Sequence, residues 1–153
     1  MQKYKFLFID ASKQFHELTR TVIHLEQLPV TAKFVLGPKA ALRYLKDVAE
    51  DKFPDAIIAD HRLPFYRGHQ FFECIENVFP SQIENCALYL SASSAIDLNI
   101  LDTTTMPHVT DLVAKPFSRS VYQRCVKGIL RKRSLATSCC KIGVEQRQVR
   151  AAY

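Results

Sequence analysis

At 153 residues, 48% hydrophobic and 24% charged, the chain fits one soluble globular domain with a sizeable core. No apolar run approaches the roughly 18 residues of a membrane span, and Met1-Gln2-Lys3-Tyr4-Lys5 runs into a strand-like segment without a signal-peptide pattern, so a cytoplasmic protein is expected. The net charge of +6 sits at one end: residues 127–153 hold seven bases against Glu145, and the first 126 residues hold 14 of each sign. The basic character therefore belongs to a C-terminal extension. We expect a domain over 1–133 and a basic tail over 134–153, weakly ordered or helical. About 20 residues are too few for an independent helix-turn-helix, so nucleic acid is not the expected partner.

In chain order, residues 5–9 form an apolar strand that ends in Asp10. Ser12 suits an N-cap, and Phe15, Leu18, Thr19, Val22, Ile23 and Leu25 follow at helical spacing until Pro29. Residues 31–36 read as a second strand. Gly37-Pro38 turns into a helix with Ala40, Ala41, Leu42, Leu45 and Val48 on one face. Residues 56–59 are wholly apolar, the pattern of a strand buried on both faces, and Asp60 follows at once. Pro64 and Gly68 punctuate the exit. A helix over 70–78 then buries Phe71, Phe72, Ile75 and Val78, and Pro80 stops it. Residues 86–90 make a fourth strand ending in Ser91, with a short helix over 95–101. Residues 112–114 make a fifth, ending in Lys115-Pro116-Phe117. The last helix starts near Ser118 and carries Val121, Tyr122, Cys125, Val126, Ile129 and Leu130.

Five strands alternating with five helices predict an α/β fold: a doubly wound, five-stranded parallel sheet with helices on both faces and flavodoxin-like order 2-1-3-4-5. The five cysteines are odd in number and lack metal-ligand spacing. Cys74, Cys86 and Cys125 read as small apolar fillers, and Cys139-Cys140 is not a CxxC.

Four strands end in a polar group: Asp10, Asp60, Ser91 and Lys115. In a parallel sheet all four ends lie on one edge, in the crevice where open α/β sheets bind ligands. Two carboxylates so close repel, and a hard cation is the usual remedy. Mg²⁺ suits one or two carboxylates plus waters and phosphate oxygens. An aspartate can also act as a nucleophile towards phosphorus, with a lysine stabilising the charge that develops.

With Phe8-Ile9-Asp10, Asp60 with Leu63-Pro64 and Gly68, Leu90-Ser91-Ala92 and Lys115-Pro116-Phe117 in this order and spacing, the chain resembles a bacterial response-regulator receiver domain from about Lys3 to Arg131. The resemblance implies that Asp60 accepts a phosphoryl group from a histidine kinase or a histidine phosphotransfer protein. It implies Mg²⁺ held by Asp10 (partly through water), Asp60 and the backbone carbonyl of Arg62, with Ser91 as switch hydroxyl and Lys115 as phosphate-binding lysine. It also implies a cis bond before Pro116, and signalling by docking of a downstream protein, with a homodimer compatible.

Three positions depart from the pattern. Ala11 stands where a second acid is usual, which weakens Mg²⁺ binding. Leu112 replaces the aromatic switch residue. Arg62 places a cation at the mouth of the site, where it contacts the phosphoryl group, hinders attacking water, or is simply solvated. Ala11 and Leu112 support a second reading, a degenerate receiver that is not phosphorylated and acts only as a protein-binding module.

Overall fold

The computed structural model describes residues 1–151, with side chains for all but Ile96 and residues 140–151. Five parallel strands form one sheet in the order β2-β1-β3-β4-β5, as the alternation predicts. They are β1 (Tyr4–Ile9), β2 (Val30–Val35), β3 (Ala56–Asp60), β4 (Ala87–Ala92) and β5 (Asp111–Ala114). The inner strands are near-continuous buried runs, whereas edge strand β2 mixes buried with exposed positions. Both faces of the inner strands are covered, so neither has room for polar side chains.

Period-two alternation divides each strand between two cores. Leu7, Ile9, Ile57, Ala59, Leu88 and Leu90 face one core. There they meet Ala41 and Leu45 of α2 (Pro38–Asp47) and Phe71, Phe72 and Ile75 of α3 (Gly68–Val78). Phe6, Phe8, Ile58 and Tyr89 face the other, against Phe15 of α1 (Lys13–Leu25) and Cys125 and Ile129 of α6 (Arg119–Ala151). Ser12 caps α1 as expected: its hydroxyl accepts from Phe15 N–H at 3.1 Å.

Several boundaries differ from the sequence pattern. Helix α3 starts at Gly68, and Val78 is exposed because Phe79 takes the buried place at its end. Pro80 does stop α3, but it also opens a one-turn helix, α4 (Pro80–Ile83), where its missing N–H costs nothing and Ile83 reaches the core. Strand β4 runs through Ser91 to Ala92. Helix α5 (Ala95–Ile100) follows it. Leu18, Leu25, Ala40 and Leu130 sit on expected helical faces yet are exposed, so the buried stripes are narrower than the spacing suggests.

Helix α6 is continuous to Ala151, well past the sheet. Lys132 Nζ donates to the Cys86 carbonyl at 2.6 Å, and Arg133 pairs with Asp55, which also accepts from Lys5 N–H at 2.6 Å. These bonds fasten the helix to the base of the sheet. No helix among the described residues is long and apolar enough to cross a membrane.

Cys86 and Cys125 fill the cores, and burial pushes both thiols up to about 12. At pH 8 we expect neither to react with a thiol reagent until the domain is unfolded, while exposed Cys139 reacts at once. Peptide mapping after brief labelling checks this; modification of Cys86 in the native chain would contradict it.

Candidate functional site

The carboxyl edge of the sheet carries the site. Asp10 follows β1, Asp60 closes β3, Ser91 lies next to last in β4 and Lys115 follows β5. Register does the gathering: Asp60 pairs with Ser91 across the β3–β4 ladder. Lys115 N–H donates to the Ala92 carbonyl at 2.9 Å, and the Lys115–Pro116 bond is cis.

Lys115 Nζ lies 2.5 Å from Asp10 Oδ2 and is bonded to Asp60 Oδ2. The contact with Asp10 is an ion pair rather than an aligned hydrogen bond, since Asp10 Oδ2 is buried with no aligned donor. The ammonium also stands 4.8 Å from the centroid of the Phe15 ring. Burial by itself would lower the pKa of Lys115; the close contacts with Asp10 and Asp60 reverse this and hold it above its ordinary value. Stability from this charge is complete below the pKa of an unfolded lysine and is lost as pH rises through the higher folded value. Across the neutral range the lysine stays an ammonium.

Each carboxylate also accepts from backbone. Asp10 Oδ1 receives Ser12 N–H at 2.8 Å, and Asp60 Oδ1 receives Arg62 N–H at 2.6 Å. The two acids thus lie side by side with the lysine between them, and the chain's own cation offsets their repulsion.

The donor set suits Mg²⁺ in kind: two carboxylates, both hard oxygen donors. It is thin in number. Ala11 is exposed and adds no carboxylate, and among the described residues no three His, Cys, Asp or Glu gather into a metal cage.

Sequence reasoning missed two participants. His61 lies between Asp60 and α5: its Nδ1 is 3.1 Å from the Ser91 carbonyl and 3.7 Å from Asp60 Oδ1, and its Nε2 is 3.8 Å from Asp97 Oδ2. Asp97 stands in the first turn of α5, and Arg62 Nη2 donates to it at 2.6 Å. The Arg62 side chain thus leans to the helix after β4 rather than over the acceptor. Nothing in the weakly patterned stretch after Ser91 marked Asp97 as a partner. We expect Asp97→Ala to speed amide exchange of residues 95–101 by about tenfold while costing under about 1 kcal/mol of stability, because the arginine is largely exposed. Unchanged exchange there would show that the pair does not restrain α5.

Gly68 is buried where the loop returns to α3. A Cβ there would lie 2.5 Å from Leu90 Cδ2 and 2.7 Å from the Asp60 carbonyl, so only glycine lets the loop close beneath the acceptor. Phe65, at the loop tip, is fully exposed with φ 67°. The left-handed region costs a non-glycine residue ~1–2 kcal/mol. Glycine's added freedom when unfolded takes back ~0.5–1 kcal/mol. Phe65→Gly should therefore leave the melting temperature unchanged or slightly higher; a clear fall would show that the ring packs.

No protein-family model and no curated protein matches the sequence. Solved structures do. A two-component response regulator from Cytophaga hutchinsonii superposes with TM-score 0.73 at 20% identity, over 86% of this chain and 99% of that one. A response regulator receiver domain protein from Clostridium thermocellum gives 0.67 at 16%, over 86% and 98%. A protein from Rhodopirellula baltica named as an adenylate cyclase gives 0.67 at 17%, over 92% and 96%. At these identities the likeness shows the fold: a CheY-like, flavodoxin-like receiver fold. What the fold does here has to be argued from the site.

Proposed function

We propose that this chain is a receiver domain that accepts a phosphoryl group on Asp60 from a histidine kinase or a histidine phosphotransfer protein and signals by docking to a downstream protein. The observation that carries the reading is the shared cup in which Lys115 spans Asp10 and Asp60, with Ser91 beside the acceptor.

In the transfer, an Asp60 carboxylate oxygen forms the new O–P bond as the N–P bond of a phosphohistidine breaks. The departing imidazole keeps the electron pair and takes up a proton. Charge moves onto the equatorial phosphoryl oxygens, and Lys115 is the cation placed to meet it. Ser91 offers a hydroxyl to the same group. Asp10, Asp60 and the Arg62 carbonyl would hold Mg²⁺, weakened by Ala11. Bound there, the metal supplies positive charge against that of the phosphoryl group. Arrival of the phosphoryl group draws Lys115 away from the Asp10–Asp60 bridge. The same new charge competes with Asp97 for Arg62, and this links Asp60 to α5 without the aromatic switch that Leu112 lacks.

On this reading the domain is not a metabolic enzyme, and any catalysis is self-directed: acceptance and later hydrolysis of its own phosphoryl group. A degenerate receiver that only binds protein is the alternative. It is favoured by Ala11 and by the engagement of both acids with Lys115 and backbone amides in the resting fold. Intact-mass measurement after incubation with acetyl phosphate and Mg²⁺ separates the two. The receiver gains one phosphoryl mass, lost in Asp60→Asn; the degenerate module gains none.

A further inference from the structure

Beside the site, the loop after β3 folds back on itself. Arg62 and Arg67 pair in a short antiparallel bridge, and Gly68 N–H donates to the His61 carbonyl at 3.1 Å. Leu63 is buried beneath the loop, while Phe65 and Tyr66 point outward, fully and half exposed. Across from them the β2–α2 turn exposes Leu36 at its crest. The two walls enclose an open groove of about 480 Å³, with Pro38 and Pro64 along it.

Two features suggest that this groove has an occupant. An aromatic ring gains nothing for the fold when it is fully exposed, and a left-handed backbone costs stability, so Phe65 is displayed rather than packed. Adjoining exposed apolar side chains of this kind mark interaction surfaces. The rim, moreover, carries one sign of charge. Lys39 and Arg43 line the groove. Among the described residues neither makes a side-chain ion pair, and no Asp or Glu lines the groove.

We propose that this groove binds an acidic protein segment, one that carries a large apolar side chain between Asp or Glu residues. The apolar side chain would enter between Leu36 and Phe65, and its carboxylates would meet Lys39 and Arg43. Charge complementarity selects the acidic class. Two cations lining so short a groove suit a short segment better than a nucleic-acid backbone, which needs a longer row of them. Use of this groove does not depend on a phosphoryl group at Asp60.

A random dodecapeptide library panned against the full chain, without Mg²⁺ or any phosphoryl donor, tests the proposal. The expected winners combine Asp or Glu with Leu, Ile, Phe or Trp. Their affinity should fall at least about tenfold in Phe65→Gly and in Lys39→Glu/Arg43→Glu, and weaken as salt rises. Phe65→Gly suits the backbone there, so a melting curve matching the parent shows that loss of binding is loss of the ring. The proposal is overturned if no sequence is enriched, if the winners are basic or uncharged, or if both variants bind them as well as the parent. It is equally overturned if only a DNA duplex, phosphatidylglycerol vesicles or a second copy of the chain engages these residues. A failure here leaves the Asp60 reading standing, since that is scored by mass gain.

Discussion

Lys115→Ala should slow the gain of a phosphoryl group at Asp60 by about 10²–10³-fold, the scale seen when one preorganised charge-stabilising group is removed. Lys115 is the cation in direct contact with both Asp10 and Asp60. Truncation also leaves two neighbouring carboxylates without it, and those side chains are only 4% and 18% exposed. Removing one partner of a buried ionic cluster costs about 3 kcal/mol. The same variant should therefore lose both stability and reactivity. Asp60→Asn separates the two, because it abolishes acceptance while easing the repulsion with Asp10. We expect it to melt no lower than the parent. Rates from acetyl phosphate, read by intact mass, and melting curves by circular dichroism check the set. A Lys115→Ala protein that is phosphorylated at the parental rate would remove the lysine from the chemistry.

Gly128→Ala is expected to be the most damaging single methyl addition. Gly128 lies where α6 crosses β4, and a Cβ there would overlap the hydroxyl oxygen of Tyr89. That hydroxyl is buried and donates to the Cys125 carbonyl at 2.8 Å, and burial pushes its own pKa above the usual range. Overpacking costs ~1–3 kcal/mol. Displacing a buried hydrogen-bonded hydroxyl costs ~1–3 kcal/mol more. The sum is ~2–6 kcal/mol, and its middle corresponds to roughly a 10 °C fall in melting temperature for a chain of this length. Tyr89→Phe removes the obstructing atom, so the double variant should be more stable than the summed single effects predict. Simple additivity would mean that the helix relieves the clash by shifting.

Much of this architecture could be read from the residues. The inner strands are apolar without interruption because both faces are covered, and that pattern survives in sequence as residues 56–59 and 86–90. The convergence of Asp10, Asp60, Ser91 and Lys115 was legible for a related reason: parallel strands put their carboxyl ends on one edge wherever the helices lie. Local periodicity was less informative at the helix ends. Pro80 signals a stop, whereas its fixed φ also starts α4, and Phe79 rather than Val78 turns inward. The contacts of Arg62 and His61 with Asp97 join segments some 35 residues apart, and no local pattern encodes such a pairing. Nor does sequence show that Lys115 rests between the two acids. That depends on side-chain geometry after the sheet has formed. The left-handed backbone at Phe65 was hidden as well, since glycine or asparagine is the usual sign of it and neither is there.

Borohydride reduction of the chain after acetyl phosphate and Mg²⁺ treatment, followed by peptide mapping, asks most directly whether Asp60 is the acceptor. Reduction converts an aspartyl phosphate to homoserine. The account predicts homoserine at position 60, and none there in Asp60→Asn. Homoserine at position 10 instead, or an unmodified chain under conditions that label another receiver, would contradict it.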